Sequence, residues 1–356
     1  MAGRIDVHHH LIPPAFARAM ERRGIREVAG AQLPAWTPEA SLELMDLNGI
    51  QTAIVSLSAP GVHLRPDDPV ADAVELARGC NEFAADMVSR NPGRFGFFAV
   101  LPMPFCAESC KEAIHALDTL NADGVVLLGS TQGVFLGDDS LDELMAELNR
   151  RQAIVFIHPN LHTTTDAIGL DMPGFLMEFL CDTTRAACNL MFSGTLEKYP
   201  QIRWILSHAG GFVPYIPWRL SLANLLPALN EKAPQGVLTY LNRFYFDTAL
   251  SPSPAVLYAL HQLVDPSHIL FGSDFPFAPA PLVAMQVQEL ESSVQLDGVD
   301  RKLVDRDNAL RLFPAHAGPG EKVSPAPVPG AMPAKTRLKR AMMKPVVALA
   351  NRMRAK

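Results

Sequence analysis

Eight short apolar runs, each separated from the next by a helix-forming stretch, restrict this chain more than any other feature of its sequence. Strands are expected at Arg4–His8, Thr52–Leu57, Phe95–Leu101, Gly124–Leu128, Ala153–His158, Arg203–His208, Arg243–Asp247 and His268–Ser273. The second, Thr52-Ala53-Ile54-Val55-Ser56-Leu57, is nearly all apolar, as a strand buried on both faces must be. Helices are expected between them, near 38–47, 69–91, 107–120, 141–150, 173–198, 213–229 and 254–263, with further helical segments through Phe313. Thr37-Pro38-Glu39 is a strong start for the first, combining a capping hydroxyl, a proline in the first turn and an early acid. Asn48-Gly49 is a strong stop. Strands that alternate with helices require a parallel sheet, and eight units call for a closed α/β barrel of the (β/α)8 type. An open doubly wound sheet is the alternative, but no Gly-x-Gly-x-x-Gly follows the first strand.

The barrel is expected to occupy residues 1–314. A Pro-, Ala- and Gly-rich linker follows over 315–334, then a basic tail with helix-forming residues over 335–356. The chain of 356 residues is 48% hydrophobic, enough for one large core, yet has no uncharged apolar run of about 20 residues that would span a membrane. Its N-terminus lacks a secretory pattern, and its five cysteines form no Cys-x-x-Cys pair, so a cytoplasmic protein with reduced thiols is expected. From Ala315 onward there are nine Lys or Arg and one acid, Glu321, a net of +8; the whole chain is −6, which leaves the preceding body at −14. An acidic body offers no basic face to nucleic acid. The tail is a solvated segment or a surface-interacting one.

Chemistry on such a barrel sits at the C-terminal ends of the strands. Strand one ends in His8-His9-His10, strand five in His158-Pro159, strand six in Ser207-His208-Ala209-Gly210-Gly211 and strand eight in Gly272-Ser273-Asp274-Phe275-Pro276. In extended chain, His8 and His10 share one side and His9 takes the other. His8, His10, His158 and Asp274 therefore form a nitrogen- and oxygen-rich set suited to a catalytic Zn²⁺ or Mn²⁺ with an open position. His208 is a spare imidazole for a substrate oxygen or bound water. His63 and His162 are weaker candidates, on loops that could approach the pocket.

The motifs Asp6-Val7-His8-x-His10, Ile157-His158-Pro159, Ser207-His208-Ala209-Gly210-Gly211 and Gly272-Ser273-Asp274-Phe275-Pro276-Phe277 resemble those of the amidohydrolase-related, metal-dependent decarboxylases. Within that group the resemblance is to 6-methylsalicylate, γ-resorcylate and aminocarboxymuconate-semialdehyde decarboxylases. It covers about Arg4 to Phe313. It implies one divalent metal, zinc before manganese, on His8, His10, His158 and Asp274, no organic cofactor, and a homodimer. It also implies Arg219 as a carboxylate-binding residue, in some relatives acting on the neighbouring subunit, and Phe175 and Phe277 as aromatic pocket walls. Two departures narrow the reading. Strand four, Gly124-Val125-Val126-Leu127-Leu128-Gly129, has no metal-bridging lysine, which favours a single ion. Arg22, Arg23 and Arg26 do not align with the arginine that grips a second carboxylate in the semialdehyde enzyme, which favours an aromatic monocarboxylate.

The expected reaction is non-oxidative decarboxylation of a hydroxybenzoate such as a salicylate. Asp274 is the expected proton donor, provided that its pKa rises enough to hold a proton when substrate binds, and His208 orients the phenolic oxygen or assists. A hydrolase using the same ligands to activate water on a lactone or amide is the alternative. A barrel that serves only as a binding module is the third reading.

Overall fold

The computed structural model describes residues 3–327. Its eight barrel strands are β1 (Arg4–His10), β2 (Ile50–Ser56), β3 (Phe95–Val100), β4 (Gly124–Leu128), β5 (Ile154–His158), β6 (Arg203–Leu206), β7 (Tyr245–Asp247) and β8 (Ile269–Leu270). They pair in chain order, all in parallel. The Val7 amide donates to the Phe271 carbonyl (3.0 Å) and the His10 amide to the Phe275 carbonyl (2.7 Å), so β1 meets the β8 segment and the barrel closes. The expected α/β barrel is the fold.

Alternation along the strands sorts the core into two layers. Ile54, Phe98, Val126, Phe156, Ile205 and Leu270 belong to one buried cluster, with the Phe98 and Phe156 rings stacked 5.3 Å apart. Their neighbours Val55, Phe97, Val125, Val155, Leu206 and Ile269 belong to the other, together with Met45, Ala84, Leu144 and Leu190 from the surrounding helices. Each strand is apolar on both faces because both faces are covered. At the N-terminal end of the barrel, Arg4 bonds Asp305 (3.0 Å) and the Asn48 carbonyl (2.8 Å) and pairs with Glu291. Arg306 reaches Gln51 (3.0 Å), the Gly3 carbonyl (3.1 Å) and Glu321 (2.8 Å).

Several expected boundaries move for local reasons. The helix Pro38–Leu47 is as expected, and its Thr37 side chain accepts from the Ala40 amide. β1 runs two residues past His8. β8 is two residues long, not six, because the Ser273 and Asp274 amides turn to the His8 carbonyl instead of extending the ladder. The expected helix over 173–198 breaks at Gly194 (φ 93°), and that over 213–229 splits into short turns at Pro217 and Pro227. The insertion after β1 holds a helix, Pro14–Arg22, and a small hairpin, Glu27–Val28 with Ala31–Gln32. Ala29 and Gly30, both at positive φ, make its tight turn. Beyond Phe313 the chain keeps touching the barrel: His316 lies 2.7 Å from Asp123, and Val323 and Ala326 pack on the core. The basic tail over 335–356 lies outside the described residues. Among those described, no helix is long and apolar enough to cross a membrane.

Candidate metal centre

β1 carries a register irregularity between Asp6 and His9. It leaves His8 and His10 on one side, their Nε2 atoms 3.1 Å apart, and His9 on the other. There His9 bonds Asp6 (3.0 Å) and Ser41 (2.9 Å). His158 ends β5 and joins the pair, its ring 4.9 Å from that of His10. Asp274 sits just past β8 at φ 64°, a conformation that turns its carboxylate inward, with Oδ1 3.0 Å from His10 Nε2 and 3.2 Å from His8 Nε2. Ligand atoms of His8, His10, His158 and Asp274 all lie within 4.8 Å of one another, and all four residues are buried.

The other ring nitrogens explain why these lone pairs converge. His8 Nδ1 lies 2.7 Å from Asp247, His10 Nδ1 3.1 Å from the Ser56 carbonyl, and His158 Nδ1 2.8 Å from the Pro159 carbonyl. With each Nδ1–H donating to an oxygen, each ring in its neutral form directs an Nε2 lone pair at the same point as the Asp274 carboxylate. Three lone pairs and a negative charge repel one another unless a cation, a metal ion or a proton on His8, lies among them. The donor set therefore fits one divalent ion with three nitrogen ligands and one oxygen.

The charges of the protein agree. Burial holds His10 below its ordinary pKa and His158 well below it, with the charge of neighbouring imidazoles adding to the effect. At His8 burial pulls down, but the charges of Asp247 and Asp274 and their hydrogen bonds outweigh it and raise the group to about 10. A proton on His8 and a metal ion compete for the same lone pair. At Asp274 burial pushes up, while the charge of His8 and the hydrogen bonds of His10 and His8 hold the carboxyl well below its usual range. Without an ion or substrate Asp274 is thus a carboxylate, because its imidazole neighbours outweigh its burial.

Asp247, at the end of β7, was not anticipated. It lies 2.7 Å from His8 Nδ1 and accepts from the amides of His208 (2.8 Å) and Ala249 (3.0 Å), so one buried carboxylate orients the His8 ring and fixes the backbone that carries His208. The rule that found the other residues, a polar side chain ending an apolar strand, also picks out Tyr245-Phe246-Asp247. His208 adopts a positive φ in a turn through Gly211, its Nδ1 sits 3.1 Å from the Ala249 carbonyl, and burial lowers its pKa. Its ring lies 4.8 Å from that of His8.

Above the four residues lies a cavity of about 510 Å³, lined by His158, His208, Asp274, Ser58 and Ser251 and otherwise by apolar side chains that include Phe175, Phe179, Leu250, Phe277 and Leu282. Phe277 and Phe175 are therefore in the wall; Phe277 stacks edge-on 5.4 Å from His10, and the Phe175 amide donates to the Ala29 carbonyl. Arg219 is elsewhere, exposed on the short helix Pro217–Leu220 and not in this lining. β4 and the following Gly129 carry no lysine, and a Cβ on Gly129 would lie 2.3 Å from the Asp182 carboxylate.

Fold and site together define a barrel built to hold one divalent metal at the floor of an apolar cavity. The amidohydrolase family model matches residues 5–315, and the chain belongs to that family. It is 40% identical over 332 residues to decarboxylase yanB of Aspergillus niger, covering 89% of each chain. It is 39% identical over 323 residues to the 6-methylsalicylic acid decarboxylase of Penicillium expansum, covering 89% of this chain and 98% of that one. Among solved structures, a dihydroxybenzoic acid decarboxylase of Polaromonas sp. JS666, with bound manganese and the inhibitor 2-nitroresorcinol, matches with a TM-score of 0.76 at 26% identity, covering 89% of this chain and 98% of that one.

Proposed function

We propose that this chain is a metal-dependent, non-oxidative decarboxylase of a hydroxybenzoate of the 6-methylsalicylate kind. The observation that carries the reading is the set of four converging donors under a mainly apolar cavity of about 510 Å³, in a chain about 40% identical to decarboxylases over most of its length. His8, His10, His158 and Asp274 would hold the ion, zinc or alternatively manganese. When bound, it supplies a Lewis acid for the hard oxygens of a carboxylate and its ortho-hydroxyl.

Direct loss of CO₂ would leave an aryl carbanion, so the ring carbon must be protonated first. Asp274 begins as a carboxylate and takes the phenolic proton of the substrate. It then delivers that proton to the ring carbon bearing the carboxylate, and the ring becomes a dienone. The carbon–carbon bond breaks, its electron pair restores the aromatic ring, and CO₂ and a phenolate leave. No proton need be stored on Asp274 in the resting enzyme. His208, neutral and held by Asp247 and the Ala249 carbonyl, offers its Nε2 to the phenolic oxygen or its proton. Phe175 and Phe277 flank the ring.

The same reading includes a cytoplasmic homodimer. Tyr215 and Trp218, each 86% exposed, flank Arg219 and give a second copy an apolar face to cover. In that arrangement Arg219 would serve the carboxylate in the neighbouring subunit's cavity.

The test is to incubate the metal-loaded protein with 6-methylsalicylate and other salicylates and measure CO₂. Release that stops on chelation supports the reading. No release, with cleavage of aryl lactones instead, would place the chain among the hydrolases.

A further inference from the structure

A second cavity of about 750 Å³ lies beside the first, and Val28 and Phe179 are the two residues that line both. Val28 comes from the hairpin inserted after β1 and Phe179 from the helix Glu178–Phe192; they are 7% and 8% exposed. The Phe179 ring stands 5.9 Å from the ring of His158, so this wall lies one ring's width from the donors. The two sides differ in character. The metal side is mainly apolar, whereas the far side is also lined by Arg26, His63 and Asn160.

We infer that Val28 and Phe179 form a partition that sets the size of the ring substituent this enzyme accepts. The inference rests on the decarboxylase reading and narrows it. A ring whose carboxylate and ortho-hydroxyl would be bound by the ion on those four donors would have a fixed orientation, so the substituent that points at the partition meets two buried side chains. A methyl group fits the cavity of about 510 Å³ beside the ring. A chain long enough to reach the wall meets Val28 and Phe179, the two side chains that separate the cavities. The substrate class is therefore hydroxybenzoates with a small apolar group at that position, and the space behind the wall is available to a larger group only when the wall is cut back. Such discrimination in an apolar pocket amounts to about 10-fold or more per clash or missing contact.

The experiment compares salicylates carrying methyl or pentyl at ring position 4, 5 or 6, on the metal-loaded full-length protein and its Phe179→Ala and Val28→Ala variants. Turnover is read as kcat and KM, and affinity by calorimetry. The wild type should prefer methyl over pentyl by about 10-fold or more at one position at least, and one or both variants should reduce that preference by a similar factor. The preference, unlike the absolute rate, is insensitive to a general weakening of the fold, and Val28→Ala serves if Phe179→Ala does not fold. Equal handling of methyl and pentyl by the wild type at every position overturns the inference. So does a preference that neither variant relaxes. If no acid loses CO₂ the decarboxylase reading fails separately, and the calorimetric affinities still decide whether the partition discriminates.

Discussion

The two ends of β1 handle buried polar groups in opposite ways. At its start Arg4 meets Asp305, Glu291 and the Asn48 carbonyl, and nearby Arg306 meets Gln51, the Gly3 carbonyl and Glu321; every charge there faces its complement. At its other end His8 and His10 point lone pairs at each other and at Asp274, with Nε2 atoms 3.1 Å apart. One end is complete within the protein, whereas the other is complete only with a cation. The contrast separates residues that hold the barrel together from the residues proposed to bind the ion.

Substitutions at the two ends should therefore fail differently. The largest effect is expected of His158→Ala. Metal analysis should find bound ion falling from one per chain to a small fraction, and CO₂ release should fall with it, while circular dichroism keeps the helical signal. Unchanged metal content would remove His158 from the ligand set. Asp247→Asn should come next, weakening metal binding about 10- to 100-fold in a chelator competition, because the amide no longer matches the three donors around it.

At the opposite end the order reverses. Arg306→Ala should lower stability by about 2–3 kcal/mol in urea unfolding, since it strips partners from a site only 4% exposed, with kcat and metal content unchanged. The smallest effect is expected of His316→Ala, about 1 kcal/mol or less, because its pair with Asp123 lies at the edge of the barrel. A loss of metal from either variant would break the distinction between the ends.

Much of this contrast can be read in the sequence. His158 and Asp274 end apolar runs, and the alternation of a strand separates His8 and His10 from His9, so period and position identify the set. Asp247 obeys the same rule but belongs to none of the familiar motifs, and only the fold shows it under His8. The protonation state of Asp274 was not legible, because burial and imidazole neighbours push in opposite directions and their balance depends on distances of about 3 Å. The partition was hidden for another reason: Val28 and Phe179 are 151 residues apart, and the hairpin that brings Val28 over the cavity turns on Ala29-Gly30, two small residues with little periodic signal. Loops over a barrel are placed by contacts between distant segments, such as the bond from the Phe175 amide to the Ala29 carbonyl, and not by local pattern.

The most direct measurement is a titration of divalent metal into the chelated enzyme, reading CO₂ released from 6-methylsalicylate at each step. Four converging donors and a β4 terminus without a lysine predict that activity rises from near zero and levels off at one ion per chain. Activity that needs two ions, or that survives chelation unchanged, would contradict the account.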